Sequence, residues 1–482
     1  MMRSDNPIGP TVSLPSLADI KSVYFIGIGG IGMSAIARYF HARGISVSGY
    51  DKTSTELTRE LEAAGIPVHY HEDVAAAPKE ADFVVYTPAI PKEHAELVYY
   101  QQNGYAVVKR SDVLKVITKD SFNICVAGTH GKTTISTMVA HLLRHTGYGC
   151  TAFLGGISVN YDTNYWSTGN NDVCVVEADE YDRSFLKLSP NVAVISAMDP
   201  DHLDIYGDEQ SMQDAFIAFG NQIKEGGLLI SKFGLKRMKE IEATNKYTYS
   251  LQNESASIYA SDIKVELGGY HFTVHLPKGI ISGLKLNVGG MHNVENAVAA
   301  IAIASYLEID AEKIKEAVAA YRGVKRRFEY IIPPQEQVAG GYVQPVFIDD
   351  YAHHPEELRA LLKSARHLLP QRKITVVFQP HLYTRTRDLA EGFADSLSLA
   401  EEVVLLPIYP ARELPIEGVG SELILDKIDR EKKSIVAKED LLVWMREHAK
   451  SINKEFGEVI ITAGAGDIDT LVQPLKAIIE NA

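Results

Sequence analysis

The residues with the clearest chemical meaning form a short glycine loop after an apolar stretch. Residues 122–126 are mostly apolar, and residues 127–134 then read AGTHGKTT. Glycines in such a loop let backbone N–H groups surround phosphate oxygens at the start of a helix. The lysine neutralises the β- and γ-phosphates, and the first hydroxyl after it is placed to bind Mg²⁺. The pattern predicts an ATP site formed by Gly128, Thr129, His130, Gly131, Lys132, Thr133 and Thr134.

This loop is shorter than the usual phosphate-binding pattern, because two residues rather than four separate its glycines. A glycine loop before a helix can also be a simple turn. The succession of Lys132, Thr133 and Thr134 at a helix start favours nucleotide binding over a turn.

Acidic and imidazole groups follow the next two predicted strands. Glu177 ends the strand that begins at residue 173, where a carboxylate can reach the Mg²⁺ of a bound nucleotide. The sequence DPDHLD follows the strand at residues 192–196, and a turn rich in Asp and Pro would explain its acidic residues. His202 lies at the carboxyl end of that strand, beside other phosphate-binding strands. We therefore predict Thr133, Glu177 and His202 as metal ligands.

A third cluster opens an alanine-rich helix with the sequence GGMHNVENA. His292 and Asn296 would lie on one helix face a turn apart, where an imidazole and an amide can contact a nucleobase edge. Asn293 either contributes to this nucleotide site or is the N-cap of the helix.

A second glycine pattern lies near the N-terminus. Gly27, Gly29, Gly30 and Gly32 follow the predicted strand at residues 23–26, and Asp51 ends the next strand, at about the 20-residue spacing of a dinucleotide-binding fingerprint. One hypothesis is therefore an NAD-dependent oxidoreductase with Asp51 on a ribose hydroxyl. The same geometry suits any nucleotide diphosphate, including a UDP-sugar. A second nucleotide loop has no place in a simple dehydrogenase, which argues against NAD.

The composition limits the classes of protein to consider. The 482 residues predict about three domains, and 62 acidic against 48 basic residues give no electrostatic reason to expect nucleic acid. Cys125, Cys150 and Cys174 lack metal-binding spacing, which predicts reduced core residues. No apolar run reaches the ~18 residues of a membrane span, and the N-terminus lacks a signal sequence, so we expect a cytoplasmic protein without membrane contacts.

Strand and helix patterns alternate along most of the chain, which predicts an α/β fold of parallel sheets covered by helices. A segment of β character at residues 257–288 interrupts this rhythm. Polar stretches place predicted domain boundaries so that the domains span residues 1–118, 119–324 and 325–482.

The chain resembles the Mur ligases in nine motifs that occur in family order between Gly27 and Glu413. They are GIGGIGMS, GTHGKTT, EADEYD, DPDHLDIYG, GGMHNVENA, GVKRRFE, DDYAHHP, QPHLYTRT and IYPARE. The resemblance is greatest to the branch that adds L-alanine to UDP-N-acetylmuramate. It implies a Rossmann-like N-terminal domain for the UDP-sugar, a central P-loop ATPase-like domain, and a C-terminal Rossmann-like domain for the amino acid.

The resemblance also implies a mechanism in peptidoglycan precursor synthesis. The lactyl carboxylate attacks the γ-phosphate of ATP to give an acyl phosphate, which the amine of L-alanine then attacks. ATP and Mg²⁺ are the expected cofactors, with His202 near a second magnesium ion. The residues implied for catalysis are Lys132, His202, His353 and Arg385. Those implied for the UDP-sugar are Gly27, Gly29, Gly30, Ile31, Gly32 and Asp51.

In the third domain the resemblance implies residues for both ATP and the amino acid. Arg326 or Arg327 would follow the nucleotide on domain closure, although a basic solvated linker is the alternative. Asp350 would lie near the nucleotide ribose, and Tyr351 and His353 near the reacting centre. An arginine can hold an amino-acid carboxylate by paired hydrogen bonds, a role for Arg385 with His381 beside it.

Two departures from family patterns are informative. Sister ligases usually carry, shortly after DHLD, a lysine whose carbamate bridges two magnesium ions, whereas residues 216–220 here read FIAFG. This absence matches the alanine-adding branch. Many members of that branch have an arginine where this chain has Leu382, so the role of that arginine is open here.

Other hypotheses make different demands on the chain. A recycling ligase that attaches an intact tripeptide to the same UDP-sugar shares the motifs of the first two domains. The HLYTRT and IYPARE segments favour a single amino acid, with Arg412 supporting the pocket or only packing. A non-enzymatic nucleotide switch would need fewer strand-end clusters. A homodimer is left open by the sequence.

Overall fold

Strands and helices alternate through the computed structural model, which describes residues 17–169, 172–200, 203–335, 343–411 and 413–481. The predicted α/β class is confirmed. The described chain divides into two compact units. Unit 1 holds the described residues up to Ile157, with Asp162–Tyr249 and Tyr306–Ile309. Unit 2 holds Ser158–Tyr161, Ser250–Ser305 and the described residues from Asp310 onward.

The first sheet of unit 1 is parallel, with strand order β3-β2-β1-β4-β5. Its strands are β1 (Ser22–Ile26), β2 (Ser46–Tyr50), β3 (Val68–His69), β4 (Phe83–Tyr86) and β5 (Val107–Lys109). Its helices are α1 (Ile31–His41), α2 (Glu56–Ala63), α3 (Ala95–Gln102) and α4 (Arg110–Ile117). The central strand β1 is apolar and almost wholly buried, as expected for a parallel strand covered on both faces.

The second sheet of unit 1 carries the loop predicted to bind ATP. Its strands in this unit are β6 (Phe122–Ala127), β7 (Cys150–Ser158), β8 (Thr163–Thr168), β9 (Val173–Glu177), β10 (Val192–Ile195), β11 (Leu228–Lys232) and β12 (Asn245–Ser250). They lie in the order β12-β11-β10-β6-β9-β7-β8. The helices are α5 (Lys132–His145), α6 (Leu203–Tyr206) and α7 (Glu209–Gly220). Because β6 lies between the parallel strands β9 and β10, three carboxyl ends meet at one edge.

Unit 2 contains an antiparallel part and a second region with a mostly parallel sheet. The antiparallel strands are β13 (Ile258–Glu266), β14 (Gly269–Leu276) and β15 (Gly279–Leu286), followed by helices α8 (Met291–Tyr306) and α9 (Ala311–Ala320). These three strands form the segment of β character predicted from the sequence. The predicted helix at residues 294–307 begins three residues earlier, at Met291.

The last sheet has the order β16-β17-β21-β18-β19-β20 and is parallel except for β16. Its strands are β16 (Glu329–Ile332), β17 (Val346–Asp350), β18 (Lys373–Phe378), β19 (Glu402–Leu405), β20 (Lys433–Ile435) and β21 (Glu458–Ala463). Its helices are α10 (Pro355–Leu368), α11 (Tyr383–Leu397), α12 (Glu422–Leu425), α13 (Leu441–Ala449) and α14 (Val472–Ile479).

The three cysteines lie buried in unit 1 and form no disulfide, as predicted. Burial raises the pKa of the Cys125 and Cys150 thiols to about 12 and also raises the pKa of Cys174. These thiols are therefore protonated core side chains. No helix in the described ranges is both long and apolar enough to cross a bilayer.

Candidate active site

Two glycines shape the loop between β6 and α5. Gly128 has φ 137° and Gly131 has φ 83°, backbone conformations that other residues rarely adopt. A Cβ atom on Gly128 would lie 2.2 Å from Ser196 Oγ and 2.8 Å from Ala197 N. Glycine at position 128 thus allows the chain after β10 to pack directly against the loop.

The segment after β10 holds the loop by hydrogen bonds. Thr129 N donates to Ala197 O at 3.2 Å, and Asp199 N donates to Thr129 Oγ1 at 3.1 Å. The Ser196 hydroxyl donates to Ala127 O and lies against His130 O. The His130 side chain is largely exposed, and its Nε2 atom lies 3.8 Å from Asp199 Oδ2.

Lys132 is the first residue of α5 and is held by two acceptors. Its Nζ atom donates to Gly128 O at 2.8 Å and to Glu180 Oε1 at 2.6 Å. Glu180 is almost completely buried, and its backbone carbonyl accepts a hydrogen bond from Tyr206 Oη at 2.6 Å. Burial raises the pKa of Glu180, while the Lys132 charge opposes this shift. The lysine is therefore held at the loop by a buried counter-ion.

Thr133 and Glu177 lie together at the same loop. Thr133 Oγ1 donates to Glu177 Oε1 at 3.1 Å, and Gly155 N donates to Glu177 Oε2 at 3.1 Å. A hydroxyl and a carboxylate are oxygen ligands that suit Mg²⁺, which is usually held by one or two carboxylates together with substrate phosphates. The described residues contain no cluster of three or more His, Cys, Asp or Glu side chains at metal-binding distance. The pair fits a nucleotide-bound magnesium ion rather than a metal enclosed by protein.

His202 and Arg412 lie outside the described residues. The metal-binding role of His202 therefore stays a prediction from the sequence, as does the supporting role of Arg412.

The N-terminal glycine loop is held by the end of β2. Gly27 N and Ile28 N donate to Tyr50 O at 2.8 and 3.0 Å. The Asp51 carboxylate accepts Gly29 N at 2.8 Å and Thr53 N at 3.2 Å. Asp51 thus fixes the loop that leads through Gly30 and Ile31 into α1, a structural role beside the ribose contact predicted for it.

A small cavity of about 90 Å³ in unit 1 lies between the start of α1 and the end of β9. Its lining includes Gly32 from the start of α1, Gly155 from β7, and Glu177 from the end of β9. Arg110 and Asp179 also line it, and their side chains form an ion pair with a distance of 3.3 Å between Nη2 and Oδ2. The cavity thus joins the loop predicted for the UDP-sugar to the carboxylate predicted to hold Mg²⁺.

In unit 2, the start of α8 is ordered by side-chain amides. Asn293 Nδ2 donates to Gly289 O at 2.6 Å, and Asn296 Nδ2 donates to Asn293 Oδ1 at 3.2 Å. Both asparagines are buried, whereas His292 is exposed. Asn293 lies within the first turn, because the helix begins at Met291, so the alternative of an N-cap at Asn293 is wrong.

The structure distinguishes the two arginines that lead into the last sheet. Arg326 has φ 60°, and its guanidinium donates to Asp349 at 3.3 Å, to Asp469 at 3.2 Å and to Gly464 O. Arg327 is exposed, and the described residues provide no hydrogen bond or ion pair to its side chain. Arg326 is therefore held by contacts within unit 2, whereas the Arg327 side chain is exposed; the nucleotide contact of either arginine stays a prediction.

Asp350 lies at the end of β17, directly after Asp349. Its carboxylate accepts Phe328 N at 2.6 Å and Ala352 N at 2.7 Å. Burial raises the pKa of Asp350 to about 6, against these hydrogen bonds, which lower it. The Asp350 carboxylate thus holds the backbone of Ala352, in the turn after β17, and the backbone of Phe328, just before β16.

The predicted amino-acid residues come together in unit 2. The ring centroids of His353 and His381 lie 6.1 Å apart, and those of Tyr351 and His353 lie 5.1 Å apart. Arg385 Nη1 lies 3.5 Å from His381 Nδ1. Burial, followed by the charges of Arg385 and His353, lowers the pKa of His381, so its neutral form is favoured. The cluster offers one cation beside a neutral imidazole and a phenol.

The segment that carries His381 and Arg385 has an unusual backbone. Leu382 has φ 70°, which costs of order 1 to 3 kcal/mol outside glycine. Leu382 N donates to Tyr409 O at 3.0 Å, and Thr384 N donates to Glu413 Oε2 at 3.0 Å. The IYPARE segment, which comes later in the sequence, therefore holds the start of α11 through these two hydrogen bonds.

The sequence did not single out three residues that the structure places at these sites: Arg110, Gly155 and Glu180. Glu180 was visible only as one acid of a strand-end cluster. Arg110 and Gly155 carry no local signal, because their contacts reach residues 69 and 22 positions away.

Glycine loops that follow strands of two separate α/β sheets are typical of a nucleotide-dependent enzyme. Family models agree in order along the chain: the Mur ligase family catalytic domain over residues 22–121, the Mur ligase middle domain over residues 126–304, and the Mur ligase glutamate ligase domain over residues 326–466. The chain belongs to the Mur ligase family, whose members are ATP-dependent ligases.

Individual relatives narrow the comparison. The chain is 47% identical to the UDP-N-acetylmuramate–L-alanine ligase of Porphyromonas gingivalis, over 95% of this chain and 98% of that one. The solved UDP-N-acetylmuramate–alanine ligase of Thermotoga maritima is 29% identical, with a TM-score of 0.78 over 95% of this chain and 99% of that one. A murein peptide ligase from Psychrobacter arcticus shares the fold at 21% identity, with a TM-score of 0.64 over 96% of this chain and 99% of that one.

Proposed function

We propose that this protein joins L-alanine to the lactyl carboxylate of UDP-N-acetylmuramate and converts ATP to ADP and phosphate in the process. The observation that carries this proposal is the 47% identity, over almost the full length of both chains, to an enzyme that bears this activity in its name. The two glycine loops support it, as does the cavity lined by Gly32 and Glu177, because the reaction needs a sugar nucleotide and ATP side by side.

ATP binding is assigned to the loop between β6 and α5. Lys132 would neutralise the β- and γ-phosphates, and Thr133 with Glu177 would hold Mg²⁺. The ion supplies charge neutralisation at the transferred phosphoryl group. The exposed Arg327 would add a positive charge to the nucleotide.

In the first step a lactyl carboxylate oxygen bonds to the γ-phosphorus, and the bond from that phosphorus to the β–γ bridging oxygen breaks. ADP leaves with the electron pair, and an acyl phosphate remains. The nucleophile must therefore reach the phosphate loop from the UDP-sugar loop. The cavity lined by Gly32 and Glu177 supports this arrangement, because it lies in unit 1 beside both the first glycine loop and the carboxylate assigned to Mg²⁺.

In the second step the alanine amine attacks the acyl carbon, a C–N bond forms, and inorganic phosphate leaves as the C–O bond breaks. The amine loses a proton in this step. We assign the alanine carboxylate to Arg385, because a guanidinium pairs well with a planar carboxylate. A neutral His381 lies beside it and can accept a proton.

The test measures phosphate release from ATP in the presence of Mg²⁺ and UDP-N-acetylmuramate. The acceptor is L-alanine in one reaction and the tripeptide L-Ala-γ-D-Glu-meso-diaminopimelate in a second, and a third reaction contains no acceptor. We expect turnover only with L-alanine, with one phosphate per amide formed. Turnover only with the tripeptide would reassign the chain to the recycling ligases. Turnover with neither, together with binding of a nicotinamide cofactor, would revive the oxidoreductase hypothesis.

A further inference from the structure

The cavity of unit 1 that is lined by Gly32 and Glu177 has one basic side chain in its lining, Arg110, and no motif assigns this residue a role. We propose that Arg110 binds the lactyl carboxylate of the sugar nucleotide and so selects substrates that carry this group. The proposal rests on the proposed function for the identity of the sugar nucleotide. It adds a specificity-determining residue outside both glycine loops.

The position of Arg110 depends on a glycine of the N-terminal loop. Arg110 is the first residue of α4, directly after β5. Its Nη1 atom lies 1.9 Å from the point that a Cβ atom on Gly32 would occupy. The guanidinium therefore lies against the backbone of α1 at the first turn, where any larger residue at position 32 would displace it. Gly32 thus has a second function besides allowing approach of a nucleotide.

The charges of the cavity lining make a cation necessary for this substrate. Glu177 and Asp179 both contribute carboxylates, and Arg110 is the one Lys or Arg among the residues that line the cavity. A substrate carboxylate would meet two like charges there, at a cost that an opposite charge offsets. Arg110 carries five N–H donors, and among the described residues its guanidinium hydrogen bonds only with Asp179, at 3.3 Å. Donors therefore remain for a second carboxylate.

Two neighbouring ion pairs lie outside the cavity lining. Lys109 pairs with Asp182, and Lys187 pairs with Asp112, both at 2.6 Å. Neither lysine lines the cavity. These shorter pairs already join α4 and the strand before it, β5, to the chain after β9. The longer Arg110–Asp179 pair is therefore not needed for that connection, and the Arg110 guanidinium can bind substrate.

The experiment compares two sugar nucleotides by calorimetry, without ATP or alanine. UDP-N-acetylmuramate carries the lactyl carboxylate, and UDP-N-acetylglucosamine lacks it. We expect the unaltered protein to bind the first more tightly. Arg110→Ala should weaken binding of UDP-N-acetylmuramate about tenfold or more, the effect of losing hydrogen bonds to a charged group, and leave UDP-N-acetylglucosamine unchanged. The affinity of Arg110→Lys for UDP-N-acetylmuramate should lie between those of the unaltered protein and Arg110→Ala. Lysine keeps the positive charge but lacks the planar guanidinium that forms paired hydrogen bonds.

Lys109→Ala is the matched control, because it removes an adjacent cation that does not line the cavity, and it should alter neither affinity. In turnover assays Arg110→Ala should raise KM for UDP-N-acetylmuramate and leave KM for ATP unchanged. Equal weakening of both nucleotides, or equal affinity of the unaltered protein for both, would overturn the proposal. Alanine ligation by the unaltered protein tests the proposed function separately, since the binding comparison contains neither alanine nor ATP.

Discussion

Replacing Gly155 by alanine tests whether Glu177 holds the nucleotide-bound metal. Gly155 lies in β7, and its φ angle is outside the positive range, so the backbone accepts alanine. The added Cβ atom would lie 2.3 Å from Glu177 Oε2 and 2.4 Å from its Cδ and Oε1 atoms. The substitution therefore acts on the carboxylate and leaves the phosphate loop itself unaltered.

The size of the effect follows from these distances. An ordinary contact begins near 3.4 Å, so the carboxylate must retreat by about 1 Å from its place beside Thr133. A misplacement of about 1 Å at a catalytic group can lower a rate by about 10²-fold, which corresponds to about 2.7 kcal/mol of transition-state stabilisation. We expect kcat of Gly155→Ala to fall by this factor, with a higher Mg²⁺ concentration needed for half-maximal rate.

The assay is phosphate release at saturating substrates over a series of Mg²⁺ concentrations, with thermal unfolding as a check on folding. Thr151→Ala, in the same strand, is the control, because among the described residues its hydroxyl hydrogen bonds only with the exposed Ser167 hydroxyl. An unchanged kcat and Mg²⁺ dependence in correctly folded Gly155→Ala would refute the assignment of Glu177.

Three further predictions concern unit 2. Arg326→Ala should lower the free energy of unfolding by about 3 kcal/mol, since it leaves the buried Asp349 without its cation. Arg327→Ala should instead raise KM for ATP without changing the melting temperature. Because burial raises the pKa of Asp350 to about 6, the folded chain binds a proton that the unfolded chain releases between about pH 4 and pH 6. Its contribution to stability therefore falls as pH rises through that window, and denaturant unfolding of Asp350→Asn should show a flatter pH dependence there. Arg385→Ala should raise KM for L-alanine about tenfold or more while KM for ATP stays unchanged, as measured by phosphate release.

The strand ends were the part of the site that sequence could predict. Apolar runs followed by glycine, lysine or acid define where a parallel strand stops, and carboxyl ends of neighbouring strands meet at one edge. This reasoning placed Lys132, Thr133 and Glu177 at one edge of a sheet. In the structure Thr133 donates a hydrogen bond to Glu177, and Lys132 donates one to Glu180, three residues after Glu177. Local pattern was sufficient because Glu177 ends β9, and Lys132 and Thr133 begin the helix that follows the loop after β6.

The remaining contacts depend on distances in space that no local pattern contains. Which acid after β9 meets Lys132 is decided by the turn beyond the strand, where Asp182 and Arg183 adopt φ angles of 52° and 54°. The turn brings Glu180 to the lysine and leaves Asp179 for Arg110. The short strand β3 also escaped prediction, because two residues show no periodicity.

The burial of all three cysteines has a practical consequence for observing this enzyme at work. Thiol reagents attack thiolates at accessible sites, and the native chain presents none of these. A cysteine introduced at a surface position, such as Leu414 with 85% exposure, would therefore accept a fluorophore or spin label alone. Structural changes during turnover can thus be followed in the protein without first removing its own cysteines.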